Sequence, residues 1–354
     1  MLTSQDPTNA VSHPPIPAEM TALIYSGTCD MRVSSCAIPT PAPDEVLVQV
    51  AAVGICGSDM HAYHGHDARR VPPMILGHEA SGTIVSGERA GERVTFNPIA
   101  FCGRCNHCLE GRQNLCSDRT MIGMQRPGAF ADYLCVPQRC LIPVPASMDP
   151  VAAALTEPTA TAVHAVSLGF RALGSGYSGR NALVIGAGSI GLLIAGLLRH
   201  HGCADIDIVD TNALRRQTAE ASGYGSVRDP ATAPPEPDQY DAVFDAVGAV
   251  PTRHSAIRSV RPGGTIIHVG LQQPSGDFDF RKLTLAEITL IGAYTYTHSE
   301  LIQAVKLLHA GVFGSLNWVS TRALTDGAAA FSALHDGASA AAKIILIPST
   351  STAT

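Results

Sequence analysis

Basic blocks are missing from this sequence. Its 24 Lys and Arg are outnumbered by 30 Asp and Glu, for a net charge of −6, and they cluster nowhere. Nucleic acid or an acidic membrane surface would find no electrostatic footprint here. An unbroken apolar run is missing as well. The longest apolar stretch, Ala182 to Leu198, is interrupted by glycines and reads as strand, turn and helix, so no transmembrane segment is expected. The opening MLTSQDPTNAVSHPPIPAEM has neither a basic start nor an apolar centre, unlike a signal peptide, and reads as a mobile extension. No internal repeat is visible. Charged residues at 15% and hydrophobic ones at 45% exclude a disordered chain, and 354 residues point to two domains.

Cysteine, by contrast, is plentiful at ten residues. Four of them, Cys102, Cys105, Cys108 and Cys116, fall in the segment CGRCNHCLEGRQNLC. Four thiolates so close together can wrap one tetrahedral ion, and zinc is the usual occupant of a closed four-sulfur site. A pair of disulfides and an iron–sulfur cluster are the alternatives. The remaining Cys29, Cys36, Cys135, Cys140 and Cys203 show no disulfide-like pattern, which fits a reducing cytoplasm, and ferredoxin spacing is not matched.

Two further motifs flank this segment. Upstream, GICGSDMH and GHE supply Cys56, His78 and Glu79, donor types that a catalytic zinc uses while keeping one position open. Read alone, Cys56 could be a buried apolar residue and His78 a satisfied loop histidine. Downstream, VIGAGSIG places Gly186, Gly188, Ser189, Ile190 and Gly191 after an apolar run and at the start of a helix-like stretch. Asp210 follows 19 residues past the last glycine (210 − 191 = 19). Strand, glycine turn, helix and acid together indicate dinucleotide binding.

From Thr21 to about Pro143 the pattern is short, β-like and turn-rich. From about Ala162 to Thr297 it alternates. Strands are expected at Asn181–Ile185, Asp205–Val209, Ala242–Val247, Thr265–Val269 and Ile288–Gly292, with helices at Ser189–His201, Ala213–Ser222 and Pro251–Val260. Alternation of this kind means an α/β doubly wound parallel sheet.

In this order the motifs resemble those of the zinc-containing medium-chain dehydrogenase/reductase family, the alcohol and polyol dehydrogenases, over about Met20 to Pro348. The resemblance implies a Rossmann domain over 162–297 and a β-rich, GroES-like catalytic domain with a zinc lobe over 21–161 and 298–354, after an extension at 1–20. It implies hydride transfer between a secondary alcohol or polyol and NAD(H), with two zinc ions per chain, one catalytic and one structural. Zinc lowers the pKa of a bound hydroxyl and polarises a carbonyl. Cys56, His78 and Glu79 are the implied ligands. Glu157, in LTEP, stands where simple alcohol dehydrogenases carry a cysteine, and in the sorbitol dehydrogenase branch this glutamate binds directly or through water. A salt-bridged helix-start carboxylate is the alternative. Ser58 and His61 are placed for a proton relay, or else pack the turn; Asp59 orients the loop or a ligand. His64, His66 and His107 read as solvated loop residues.

On the cofactor side, Gly186 permits the turn, Gly188 the approach of the pyrophosphate and Gly191 the helix–strand contact. Asp210 would accept from the adenosine ribose and repel a 2′-phosphate, favouring NAD over NADP(H), while Arg215 and Arg216 keep dual specificity open. Val247 and Gly270 would line the cofactor. Thr295 stands about where polyol dehydrogenases carry a substrate-side arginine. Its neighbours Tyr294 and Tyr296 read as pocket or subunit-interface residues, and Phe130 and Tyr133 as active-site or core residues. The alternatives are a threonine-type or simple alcohol/aldehyde dehydrogenase, or a silent dinucleotide-binding protein. The expected partners are a small alcohol or ketone, no nucleic acid, no membrane, and further copies of the chain in a homodimer or homotetramer.

Overall fold

A computed structural model describes residues 16–349. The extension expected over 1–20 therefore lies mostly outside the described residues. Its last two residues, however, open the strand Glu19–Gly27, because Met20, Ala22 and Leu23 are buried on it.

The β-rich part is organised by one strand. Glu45–Gly54, EVLVQVAAVG, is apolar on both faces and pairs antiparallel with Glu79–Ile84, Tyr133–Pro137 and Lys343–Ile347. Its sheet runs in the order Leu141–Pro143, Arg93–Phe96, Glu79–Ile84, Glu45–Gly54, Lys343–Ile347, Val319–Ala323, with Tyr133–Pro137 off this path. The register sets Gly54 opposite both Glu79 and Ile345. The strand end that releases Cys56 thus lies beside the strand start that carries His78 and Glu79. The four-cysteine lobe leaves this domain between two short strands, Ile99–Ala100 and Thr120–Met121, which pair antiparallel and close its base.

The second sheet is parallel throughout, in the order Ser226–Arg228, Asp205–Val209, Asn181–Ile185, Tyr240–Asp245, Val260–His268, Thr289–Gly292. In chain order this is 3-2-1-4-5-6, and the direction of winding reverses beside Asn181–Ile185, where such folds open their ligand crevice. The expected strand Ala242–Val247 instead spans Tyr240–Asp245. It stops early because the buried Asp245 carboxylate accepts from the Val247 and Gly248 N–H groups and turns the chain. The long apolar stretch resolves into strand Asn181–Ile185 and helix Ser189–His200, and among the described residues no helix is long and apolar enough to cross a membrane.

Helix Thr156–Leu173 runs without a break across 161/162. Residues 298–354 were expected with the β-rich domain. Helix His298–His309 buries Leu301, Ala304, Val305 and Leu308 in a core shared by Ala182, Val184 and Leu192 of the parallel-sheet part and Ala52, Ile142 and Ile345 of the β-rich part. The i, i+3, i+4, i+7 spacing puts all four on one face, and each fully buried leucine contributes roughly 1.5–3 kcal/mol. The two later strands, Val319–Ala323 and Lys343–Ile347, both join the sheet of Glu45–Gly54, the second pairing with that strand directly.

Candidate active site

Cys56 is the N-cap of helix Gly57–Tyr63. Its backbone N–H donates to Asp59 Oδ2 (3.0 Å), and its sulfur faces the Ser58 N–H (3.5 Å). The ligand atoms of Cys56, His78 and Glu79 lie within 4.8 Å of one another. His78 Nδ1 faces Asp59 Oδ1 at 3.5 Å, and its Nε2 is 3.4 Å from Ser58 Oγ. A carboxylate behind an imidazole is the usual support of a metal-ligating histidine, because it fixes tautomer and ring plane. Burial pulls the His78 pKa down, but Asp59 and Cys56 outweigh it and hold it well above the ordinary histidine value.

Glu79 is not free to act alone. Lys343 Nζ donates to its Oε1 (2.8 Å) and Oε2 (2.6 Å), with both side chains almost wholly buried. The approach is so close that a Cβ on Gly54 would overlap Glu79 Oε2. Glu157 lies outside the 4.8 Å group. Its Oε1 accepts from the buried Tyr296 hydroxyl (2.6 Å), and burial lifts its pKa to about 7, with His78 pulling the other way. With Glu79 answered by Lys343, the Cys56 sulfur, the His78 imidazole and the Glu157 carboxyl add sulfur, nitrogen and oxygen donors around the same corner, and this donor set suits zinc.

Ser58 Oγ accepts from Arg70 Nη2 (3.2 Å), and Arg70 is buried. His61, half-buried one turn further on, is not among the hydrogen-bond partners of Ser58. His64 does not stand free in its loop: its Nε2 and His335 Nδ1 are 2.9 Å apart. His107 is half-buried with an unpartnered Nδ1, whereas His66 is exposed. Phe130 packs in the core edge-on to Phe331, and Tyr133 is buried beside Met20 and Leu47.

The four lobe cysteines place their sulfurs within 4.8 Å of one another, and Cys102 and Cys108 are 4.0 Å apart. Sulfurs around a tetrahedral zinc, at ~2.3 Å each, would be ~3.8 Å apart. The N–H groups of Arg104 (3.5 Å) and Cys105 (3.4 Å) point at Cys102 Sγ, and that of Cys102 (3.4 Å) at Cys116 Sγ. Backbone N–H groups from Cys108 and Ser117 bring the Cys105 thiol down to about 6, while burial pushes Cys108 up to about 12. Four thiols so arranged fit a metal. The lobe also touches the segment that follows the last strand of the parallel sheet: Asn114 Nδ2 donates to the Tyr294 carbonyl (2.9 Å), and the Arg119 guanidinium lies 5.6 Å from the Tyr294 ring centroid. Thr295, between the two tyrosines, is held at φ +47° with a buried, unpartnered hydroxyl.

At the crevice of the parallel sheet, Gly186 adopts φ +102°, and a Cβ there would sit 2.7 Å from Val247. A Cβ on Gly191 would overlap the Gly186 carbonyl oxygen, so only glycine lets helix and strand approach this closely. Around Gly188 the space is open, and this residue caps helix Ser189–His200 with no side-chain hydrogen bond, leaving the N–H groups of Ser189 and Ile190 at an uncapped, electropositive helix start. Asp210 Oδ2 accepts from the Ala187 N–H and Oδ1 from the Asn212 N–H, both at 2.8 Å. Arg216 is tied to the Asp210 and Thr211 carbonyls and to Asp229; Arg215 is half-buried without a side-chain partner among the described residues. Gly270 packs directly on the Val247 backbone, joining the ends of two strands.

Lys343, Arg70 and Asp245 escaped the sequence reading. A lysine opening the apolar strand KIILI was a usable signal. Arg70 offered none, since its neighbour Arg69 has a side chain 62% exposed.

Comparison with known proteins agrees along the chain. Residues 42–146 match the family model described as the alcohol dehydrogenase GroES-like domain, and residues 189–310 that of the zinc-binding dehydrogenase. A sorbitol dehydrogenase of Halalkalibacterium halodurans is 34% identical, over 82% of this chain and 88% of that protein. An L-galactonate-5-dehydrogenase of Escherichia coli is 31% identical, over 77% and 83%. The structure of acetophenone reductase from Geotrichum candidum in complex with NAD superimposes with a TM-score of 0.84 at 26% identity, covering 94% of this chain and 98% of that one.

Proposed function

Because this chain belongs to the zinc-type medium-chain dehydrogenase family, we propose that it moves a hydride between the carbinol carbon of a polyol or other secondary alcohol and NAD, in the cleft where Cys56, His78, Ser58 and Glu157 converge. The observation that carries this reading is the shared corner formed by Gly54 and Glu79: one register brings a thiolate, an imidazole and a compensated carboxylate together. Cys56, His78 and Glu79 would hold the catalytic zinc, and Glu157, steadied by Tyr296, would be a further donor, directly or through water. When bound, the ion polarises the reacting carbon–oxygen bond and makes the hydroxyl acidic near neutral pH. Ser58 would exchange the hydroxyl proton, and His61, one helical turn on and not hydrogen-bonded to Ser58, would receive it through water and pass it to solvent. Asp59 keeps the His78 ring in plane. The four lobe cysteines hold the structural zinc, which fixes the segment carrying Asn114 and Arg119.

NAD is favoured over NADP because Asp210 receives the adenosine ribose. The open, uncapped helix start at Gly188 would receive the pyrophosphate, with Val247 and Gly270 lining the cofactor. Relatives named for sorbitol and for L-galactonate span neutral polyols and sugar acids. Arg119, exposed beside Tyr294, gives an acidic sugar a cation where Thr295 offers none. None of the ten cysteines is joined in a disulfide, in keeping with a reducing cytoplasm. The outer edge of the parallel sheet, Thr289–Gly292, leaves Leu290 exposed with Leu285 and Phe280 nearby in sequence, and a second copy of the chain covers it.

The test is NADH formation by the zinc-loaded protein over polyols, sugar acids and simple secondary alcohols, with NADP and Cys56→Ser alongside. Turnover of a polyol or sugar acid with NAD, two zinc per wild-type chain, and loss of one zinc with at least a ~10²-fold loss of rate in Cys56→Ser are expected. A single zinc per wild-type chain with no turnover would favour a silent dinucleotide-binding protein.

A further inference from the structure

Arg70 is buried to 3% exposure, whereas the adjoining Arg69 side chain is 62% exposed. A guanidinium taken out of water costs several kcal/mol unless its donors are matched. Those of Arg70 converge on one feature. Nη1 donates to the Ser58 carbonyl (2.9 Å) and to Asp67 Oδ2 (2.8 Å), and Nη2 donates to Ser58 Oγ (3.2 Å). Nε donates to the Gly123 carbonyl (3.1 Å), and Asp59 Oδ1 lies 3.8 Å from Nη2. Gly123 packs against Gly77, the residue before His78, so closely that a Cβ on it would stand 2.8 Å from the Gly77 oxygen. One planar fork therefore ties the helix carrying Ser58 to the turn leading into His78.

A serine hydroxyl has one hydrogen and two lone pairs. With Arg70 donating to Oγ, the hydroxyl hydrogen cannot point back toward the guanidinium and is turned to the His78 side of Ser58, where Nε2 lies 3.4 Å away and the metal and the reacting oxygen would sit. Arginine does not deprotonate in proteins, so it is no member of a proton relay. We infer that Arg70 is a positioning residue of the reaction: it aims the Ser58 hydroxyl at the reacting oxygen and, through Asp59, steadies the His78 ring. The inference rests on reading the cleft as a dehydrogenase site.

The experiment compares wild type, Arg70→Gln, Arg70→Lys, Ser58→Ala and the double variants, with NAD and sorbitol or whichever panel alcohol turns over fastest. Arg70→Gln should lower kcat about 100-fold with KM within about threefold, the scale of a misaimed group. Arg70→Lys keeps the charge but not the fork and should fall between, and added guanidinium should rescue Arg70→Gln but not wild type. With Ser58→Ala in place, removing the Arg70 fork should change kcat less than about threefold, because its target is gone. In parallel, competition with a chelator should show the more weakly held zinc released about tenfold more readily from Arg70→Gln, through the loosened Asp59–His78 contact. An Arg70 effect that persists undiminished in the Ser58→Ala background, or wild-type kcat in Arg70→Gln, overturns the inference. If Arg70→Gln does not fold, the cycle of Arg70→Lys with Ser58→Ala answers the same question. A wild type that turned over nothing would defeat the dehydrogenase reading instead. The chelator competition would then decide on Arg70 alone, with unchanged zinc affinity counting against it.

Discussion

At the scale of single residues, charge placement governs the two halves of the cleft. Lys343 answers Glu79 and the Tyr296 hydroxyl answers Glu157, so each buried carboxyl of the corner carries its own donor. On the cofactor side Asp210 still has acceptor capacity after receiving two N–H groups, because a carboxylate offers about four lone-pair sites. Asp210→Asn keeps the size and removes the charge. We expect KM for NAD to rise about tenfold, since a hydrogen bond to a charged group contributes ~1.5–3 kcal/mol. The kcat/KM for NADP should rise, with Arg215 then free to meet the 2′-phosphate. Steady-state kinetics with both cofactors decides it: an unchanged NAD/NADP ratio removes Asp210 from the discriminating role.

At the scale of elements, helix His298–His309 is held at its start by a capping box. Thr297 N–H donates to Glu300 Oε2 (2.7 Å), Glu300 N–H to Thr297 Oγ1 (3.3 Å), and His164 Nδ1 lies 3.0 Å from both Glu300 oxygens. Burial alone would raise the Glu300 pKa, but His164 and the Thr297 donors outweigh it and leave it below the ordinary glutamate value. A carboxyl depressed in the folded state stabilises fully above its unfolded pKa of ~4.3 and loses that contribution as pH falls through the folded value. Glu300→Gln should therefore cost about 1–2 kcal/mol from pH 8 down to about 5, with the difference from wild type shrinking below about pH 4. Thermal melts across that range test it, and a gap that stays constant into acid would assign the loss to packing rather than charge.

At the scale of the whole molecule, the parallel sheet ends on Thr289–Gly292, whose outer edge has no strand beside it among the described residues and whose Leu290 is 42% exposed. An open edge with apolar side chains invites pairing with a second copy. Leu290→Lys should lower the solution mass to that of one chain at micromolar concentration while leaving the far-ultraviolet spectrum unchanged. Sedimentation velocity reads this directly, and an unaltered oligomer would move the interface elsewhere.

Short-range order was legible in the residues themselves. The glycine turn, the cysteine lobe spacing and the alternation of strands and helices from Asn181 onward depend on contacts within a few tens of residues, and their periodicity is written locally. Cys56, His78 and Glu79 could be nominated as donors because each carries its chemistry in its side chain. Tertiary structure alone decided what answers them. Lys343 reaches Glu79 across 264 residues and Tyr296 reaches Glu157 across 139, and nothing in their local sequence encodes either meeting. The same holds for the helix His298–His309, whose apolar face is plain in the sequence but whose choice of core is not. Periodicity marks which side of an element is buried; only the packed chain determines what it is buried against.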